Sequence, residues 1–131
     1  MKQVLRNKDK GTAIQRYLKS FFHAIDGIIY SIKYEQNMII IILAAIVCII
    51  AGFIFKISEV EWLFCILIIG MVMGAELINT AIEATIDLET TKMHPLAKIA
   101  KDTASSATLI FSITAFIGAL IIFLPKMLEL L

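Results

Sequence analysis

The chain has 131 residues, of which 60% are hydrophobic and 18% charged, with a net charge of +1. A soluble domain usually holds about 45–50% apolar and about 25% charged residues, so this composition excludes an ordinary solvent-exposed globule and points to one compact integral membrane unit. The near-neutral balance singles out no charged partner and no nucleic acid. Cys48 and Cys65 both sit inside apolar runs and read as small buried hydrophobes rather than as a disulfide or metal pair.

In chain order, residues 1–13 are polar and basic and are expected to fray, and no secretory leader is expected. Over about 14–33, Ile14, Tyr17, Leu18, Phe21, Phe22, Ile25, Ile28, Ile29 and Ile32 recur with the 3–4 rhythm of an amphipathic helix. Arg16, Lys19, His23 and Asp26 fall on its other side. A basic-flanked helix of this kind suits the membrane interface. Residues of about 38–55 form an apolar run long enough to span a bilayer. Lys56, Glu59 and Glu61 mark a short polar turn, and a second span is predicted over about 62–86. The stretch 87–104 is polar, with His94-Pro95 reading as a turn and Asp102 as a residue that helps start the next helix. A third span is predicted over about 105–124, ending at Pro125. The fold class is thus all-α, a surface helix plus three transmembrane helices.

Orientation follows from the positive charges. Seven Lys or Arg lie before residue 38 and three in 87–104, against one each in the 56–61 turn and the C-terminal tail. The N-terminus and the 87–104 segment are therefore expected to face the cytoplasm, in a multi-pass membrane protein.

The second span ends in a polar stripe. Glu76, Asn79, Glu83 and Asp87 are spaced 3, 4 and 4 apart, which puts them on one face of a helix. An acid near the bilayer centre costs roughly 2.5–3.5 kcal/mol on insertion scales, so the stripe calls for a function. Glu35 enters the first span from the same side as Glu83. Mg²⁺ prefers one or two carboxylates with phosphate oxygens and water, and Arg16, Lys19, Lys98 and Lys101 lie on that side as cations for phosphates. These are the parts that phosphoryl transfer requires. Glu76, about 10 Å deeper than Glu83, stands where a membrane-embedded hydroxyl could give up its proton. No phosphate-binding Gly-x4-Gly-Lys-Ser/Thr loop is present, so a nucleotide would bind the helical bundle itself. Two other classes stay open: a proton or cation pathway, although residues 62–75 supply no polar group for one, and a scaffold whose polar face glues helices, which leaves Arg16, Lys98 and Lys101 without purpose.

The run Glu76-Leu-Ile-Asn79-Thr-Ala-Ile-Glu83-Ala-Thr-Ile-Asp87, followed by Ala100-Lys101-Asp102-x-x-Ser105, resembles the prokaryotic diacylglycerol kinase/undecaprenol kinase family. The resemblance covers nearly the whole chain. It implies a homotrimer with sites shared between subunits and MgATP-dependent phosphorylation of a lipid alcohol. By position it implies that Glu76 is the catalytic base, supported by Asn79, and that Glu35 and Glu83 hold Mg²⁺. It places Arg16, His23, Glu35, Glu83, His94, Lys101 and Asp102 at the ATP, and Arg16, Glu76 and Ser105 at the lipid substrate. The chain differs from the Gram-negative diacylglycerol kinases at Ile41, where those carry a second acid, at His23, where those carry a tyrosine, and in the residues after His94. In this it is more like the Gram-positive branch, whose members are often undecaprenol kinases. Undecaprenol is thus the preferred substrate and diacylglycerol the alternative.

Overall fold

The computed structural model describes residues 12–89, 92 and 94–130. They form four helices: α1 (Ala13–Tyr34), α2 (Gln36–Ile54), α3 (Glu59–Glu89) and α4 (Pro95–Leu128). The expectation for residues 1–13 falls almost wholly outside the described residues. Thr12 caps α1 in a reciprocal pair with Gln15, its hydroxyl accepting from the Gln15 amide at 3.4 Å and its own amide donating to Gln15 Oε1 at 3.0 Å. α1 stops at Glu35, whose backbone is extended (φ −106°, ψ 115°), and α2 begins at the next residue.

α2, α3 and α4 are each long and apolar enough to cross a membrane. Of the most apolar stretch of α3, 39% is buried inside the protein, against 17% for α2 and for α4. α3 is therefore the central helix, packed most extensively on α4 and less on α2. The outer two present large apolar side chains such as Val47, Ile50, Ile110 and Ile121 outward. In water that surface would be a severe liability, and in hydrocarbon it is the ordinary finish of a spanning helix.

Four details depart from the sequence reading. α3 begins at Glu59, three residues early, because Ser58 and Glu61 cap it: the Ser58 amide donates to Glu61 Oε2 at 2.7 Å and the Glu61 amide to Ser58 Oγ at 3.3 Å. α4 begins at Pro95, not near 105. His94 Nδ1 accepts from the Leu96 amide at 3.2 Å, and proline fills the first helical position, where its missing N–H and fixed φ suit a helix start better than a turn. Most of the polar 87–104 segment is consequently helical. Asp102 then lies inside α4, paired with Lys98, and does not start the helix. Pro125 does not end it either: α4 runs to Leu128, and the Glu129 amide bonds to the Pro125 carbonyl at 3.1 Å.

At the α2–α3 end the bundle is closed by Ile57, Cys65, Ile122 and Phe123, with Trp62 and Phe55 packed on them. A Cβ on Gly52 would approach Trp62 Cη2 to 2.7 Å, and one on Gly118 would overlap the Phe64 ring, so both glycines are where an aromatic ring meets a helix backbone. Lys126 Nζ reaches Glu61 Oε1 at 2.9 Å and ties the ends of α3 and α4 together.

Candidate active site

At the opposite end, the α3 stripe meets α4. Ser105 donates to Asn79 Oδ1 at 3.2 Å, and Asn79 Nδ2 donates to Glu83 Oε1 at 3.0 Å. The chain Ser105–Asn79–Glu83 fixes which way the amide points and holds one carboxylate oxygen of Glu83. One turn further, Lys101 Nζ contacts Asp87 Oδ1 at 2.6 Å. These contacts need α4 to extend back over 95–104 as a helix, since a loop there would not hold Lys101 and Ser105 on one line.

Glu76 is the extreme case. It is 1% exposed, and neither carboxylate oxygen has a hydrogen-bonding partner. Its backbone carbonyl accepts from Thr80 Oγ1 at 3.0 Å. A buried acid without a partner is expensive. This one lines a cavity of about 250 Å³ whose other polar walls are Asn37, Asn79, Ser105, Thr108 and Ser112. A second, apolar cavity of about 310 Å³ shares Ile40, Ile41 and Ser112 with the first and continues along α2, α3 and α4 past Ala44, Cys48 and Ala115. A chamber with polar side chains in its wall that adjoins an apolar groove inside a membrane bundle can accept an amphiphile with its polar end toward Glu76.

Glu35 is half-buried at the α1–α2 junction. α2 runs antiparallel to α3, with Ile40 and Ile41 beside the Glu76 cavity, so stepping back along α2 moves from the level of Glu76 toward that of Glu83. Ser31, one turn before Glu35, meets Thr80 at 3.5 Å between hydroxyl oxygens. Among the described residues no three His, Cys, Asp or Glu side chains converge as a metal cage.

The remaining expected residues spread out. His94 caps α4 and is exposed, and Asp102 is engaged with Lys98. Arg16 and His23 are exposed on α1, His23 with Asp26 at 3.9 Å. They lie about 22 and 12 Å along the helix from Ser31, where α1 touches α3, at 1.5 Å per residue. The chain thus brings Glu76, Asn79, Glu83, Asp87, Lys101 and Ser105 together and leaves Arg16 and His23 away from them. Sequence reasoning missed Asn37, Thr108 and Ser112. The signal was there for two of these: Ser105, Thr108 and Ser112 repeat the 3–4 spacing on α4 that the acids show on α3.

The family model for prokaryotic diacylglycerol kinase matches residues 22–123. The undecaprenol kinase of Bacillus subtilis is 44% identical over 121 residues, covering 92% of this chain and 98% of that protein. The diacylglycerol kinase of a Helicobacter pylori strain is 37% identical over 101 residues, 77% of this chain and 79% of the other. That of Pseudomonas aeruginosa is 31% identical over 96 residues, 73% and 78%.

Proposed function

Because the chain belongs to the prokaryotic diacylglycerol kinase family and is a membrane lipid kinase, we propose that it transfers the γ-phosphoryl group of ATP to undecaprenol, giving undecaprenyl phosphate. The Bacillus relative, similar over almost its whole length, supports this acceptor; diacylglycerol, giving phosphatidic acid, is the alternative. The observation that carries the mechanism is Glu76, sealed from solvent and unpartnered in the wall of a chamber that adjoins an apolar groove.

Glu76 is the base. The lipid hydroxyl gives its proton to a Glu76 carboxylate oxygen as its oxygen attacks the γ-phosphorus, and the bond from that phosphorus to the leaving ADP oxygen breaks. Burial without a partner leaves this carboxylate no competing donor among the described residues. Asn79 orients the flank of the site through Ser105 and Glu83. Lys101 places a cation beside the phosphates, in exchange for its contact with Asp87, and His94 and Asp102 lie at the nucleotide. Ser105 borders the lipid headgroup.

The donor set fits Mg²⁺ and not a metal that wants a protein cage. Two carboxylates, Glu35 and Glu83, would hold the ion, the second already oriented by the Asn79 amide, and no cluster of three protein ligands is present among the described residues. That is the ligand number a magnesium ion takes when phosphate and water oxygens complete its shell. Bound there, the ion supplies charge neutralisation for the phosphates.

In this reading α1 is an amphipathic helix lying in the inner interface of the bacterial plasma membrane, with the N-terminus and the 90–94 connection cytoplasmic. The active form is a homotrimer. The outward position of Arg16 and His23 supports sites shared between copies, since α1 of a neighbour can bring these side chains to phosphates that their own chain does not reach.

The reading is tested with the full chain in detergent micelles, MgATP, and undecaprenol or dioleoylglycerol, following ADP release. Turnover should require a lipid alcohol and favour undecaprenol. Chelating the divalent ion should stop it, and activity that persists in excess chelator would remove Glu35 and Glu83 from metal binding. Equal ADP release without lipid would remove the kinase reading itself.

A further inference from the structure

Three threonines inside the helices return their hydroxyls to the carbonyl four residues back: Thr80 to Glu76, Thr85 to Ala81 and Thr114 to Ile110. This is the ordinary resting state of a helical threonine in an apolar setting, because it satisfies the hydroxyl at no cost in position. Thr108 does not do so. It is 9% exposed, its hydroxyl oxygen is sealed, and that oxygen has no partner. Thr108 and Glu76 are the two residues whose buried side-chain oxygens are unpartnered among the described residues, and both line the 250 Å³ cavity. Two orphans in the wall of one chamber have complementary needs. An ionised carboxylate accepts only, whereas a threonine hydroxyl can donate. An alcohol that reaches both would satisfy both, giving its proton to Glu76 and accepting from Thr108.

We propose that Thr108 is a substrate-binding residue that donates a hydrogen bond to the oxygen of the reacting lipid hydroxyl and so holds it against Glu76. This rests on the reading of Glu76 as the base of a lipid kinase. The contact is to the one group that a prenol and a diacylglycerol share. It seats the headgroup one turn deeper than Ser105, whose hydroxyl is committed to Asn79. It also accounts for a buried polar group on an α4 face that otherwise turns Leu109 and Ser112 to the same chamber. Thr108 is a ground-state contact, so its loss should appear in the lipid KM.

The experiment compares T108V and T108S with the parent in detergent micelles, measuring the apparent KM for undecaprenol, for dioleoylglycerol and for ATP. Valine keeps the shape and removes the hydroxyl. T108V should raise both lipid KM values about 10-fold, the loss of one hydrogen bond to a buried partner, and move the ATP KM by less than about twofold. T108S should stay close to the parent. T108A repeats the hydroxyl loss with a smaller side chain if the valine variant fails to assemble. Lipid KM values unchanged in a folded T108V or T108A, or changed only for dioleoylglycerol, overturn the assignment, the second because it would put the contact on an ester carbonyl. A fall in thermal stability with the lipid KM unmoved makes Thr108 merely structural and overturns it too. A parent enzyme that turns over neither lipid defeats the kinase reading instead, so the two failures are distinguishable.

Discussion

The two ends of the α3–α4 pair are built to opposite rules. Near Ser58 and Lys126, the side chains that close the bundle are either apolar and packed, as in the Ile57, Cys65, Ile122 and Phe123 cluster, or paired, as in the Ser58–Glu61 cap and the Glu61–Lys126 bridge. Near Glu76 and Thr108, a chamber stands open and the buried side-chain oxygens of these two residues are unpaired. Both ends use the same two helices and much the same apolar alphabet. The difference teaches where stability is made and where it is given up. A buried group without a partner costs about 1–3 kcal/mol, more for a charge, and such groups persist where a ligand completes them.

The sharpest way to break this contrast is Glu76→Gln. The kinase reading expects turnover to fall by about 10²–10⁴-fold, the usual contribution of a positioned base. The unpaired geometry adds that the variant should melt no lower than the parent, because the amide keeps the side chain's shape and breaks no hydrogen bond. Turnover and melting temperature in detergent are read on the same preparation. If the variant works as well as the parent, Glu76 is not the base. If it loses activity and also melts much lower, then Glu76 is a structural tie and its carboxylate is not unpaired in the working enzyme.

The second test strikes the other end. Gly118→Leu drives a side chain into the Phe64 ring, and overpacking of this kind costs about 1–3 kcal/mol. The expected result is a lower melting temperature with the ATP KM of the surviving enzyme unchanged, since Phe64 lines the apolar groove and not the polar stripe at Glu83, Asp87 and Lys101. A change in the ATP KM of a folded Gly118→Leu protein would show that the two ends are not separable.

Much of the open end is legible in the amino-acid sequence. The apolar runs mark three spanning helices, and the 3–4–4 spacing of Glu76, Asn79, Glu83 and Asp87 marks one face, because helical geometry converts spacing into position without further information. What a helix touches is not written in its own periodicity. That Ser105 bonds Asn79 depends on the register of α4 against α3, and that Arg16 and His23 stand apart depends on where α1 crosses. The segment 95–104 defeats the sequence reading for a local reason. Its polarity argues against a membrane span but not against a helix: His94-Pro95 is a start signal, and α4 simply begins outside the apolar layer. Thr108 is legible in principle, as the middle of a 3–4 hydroxyl series on α4. Threonine in a span, however, ordinarily bonds its own backbone, so only tertiary geometry distinguishes it from Thr114.

The smallest expected effect concerns the same kind of overlooked signal. Ser58-Glu-Val-Glu61 is a helix-start sequence, with serine and a glutamate three residues later, and it begins α3 at Glu59 rather than near 62. Ser58→Ala removes the side-chain partner of the Glu61 amide, which should cost about 1 kcal/mol, typical for loss of such a cap. Melting temperature should fall by less than in Gly118→Leu. Turnover and both KM values should stay at parental levels, because the cap lies at the far end of a 31-residue helix from Glu83. The comparison is most exposed here. A cap variant that alters lipid KM would mean that α3 transmits a shift along its length, and the division into a closed, stabilising end and an open, reactive one would have to be given up.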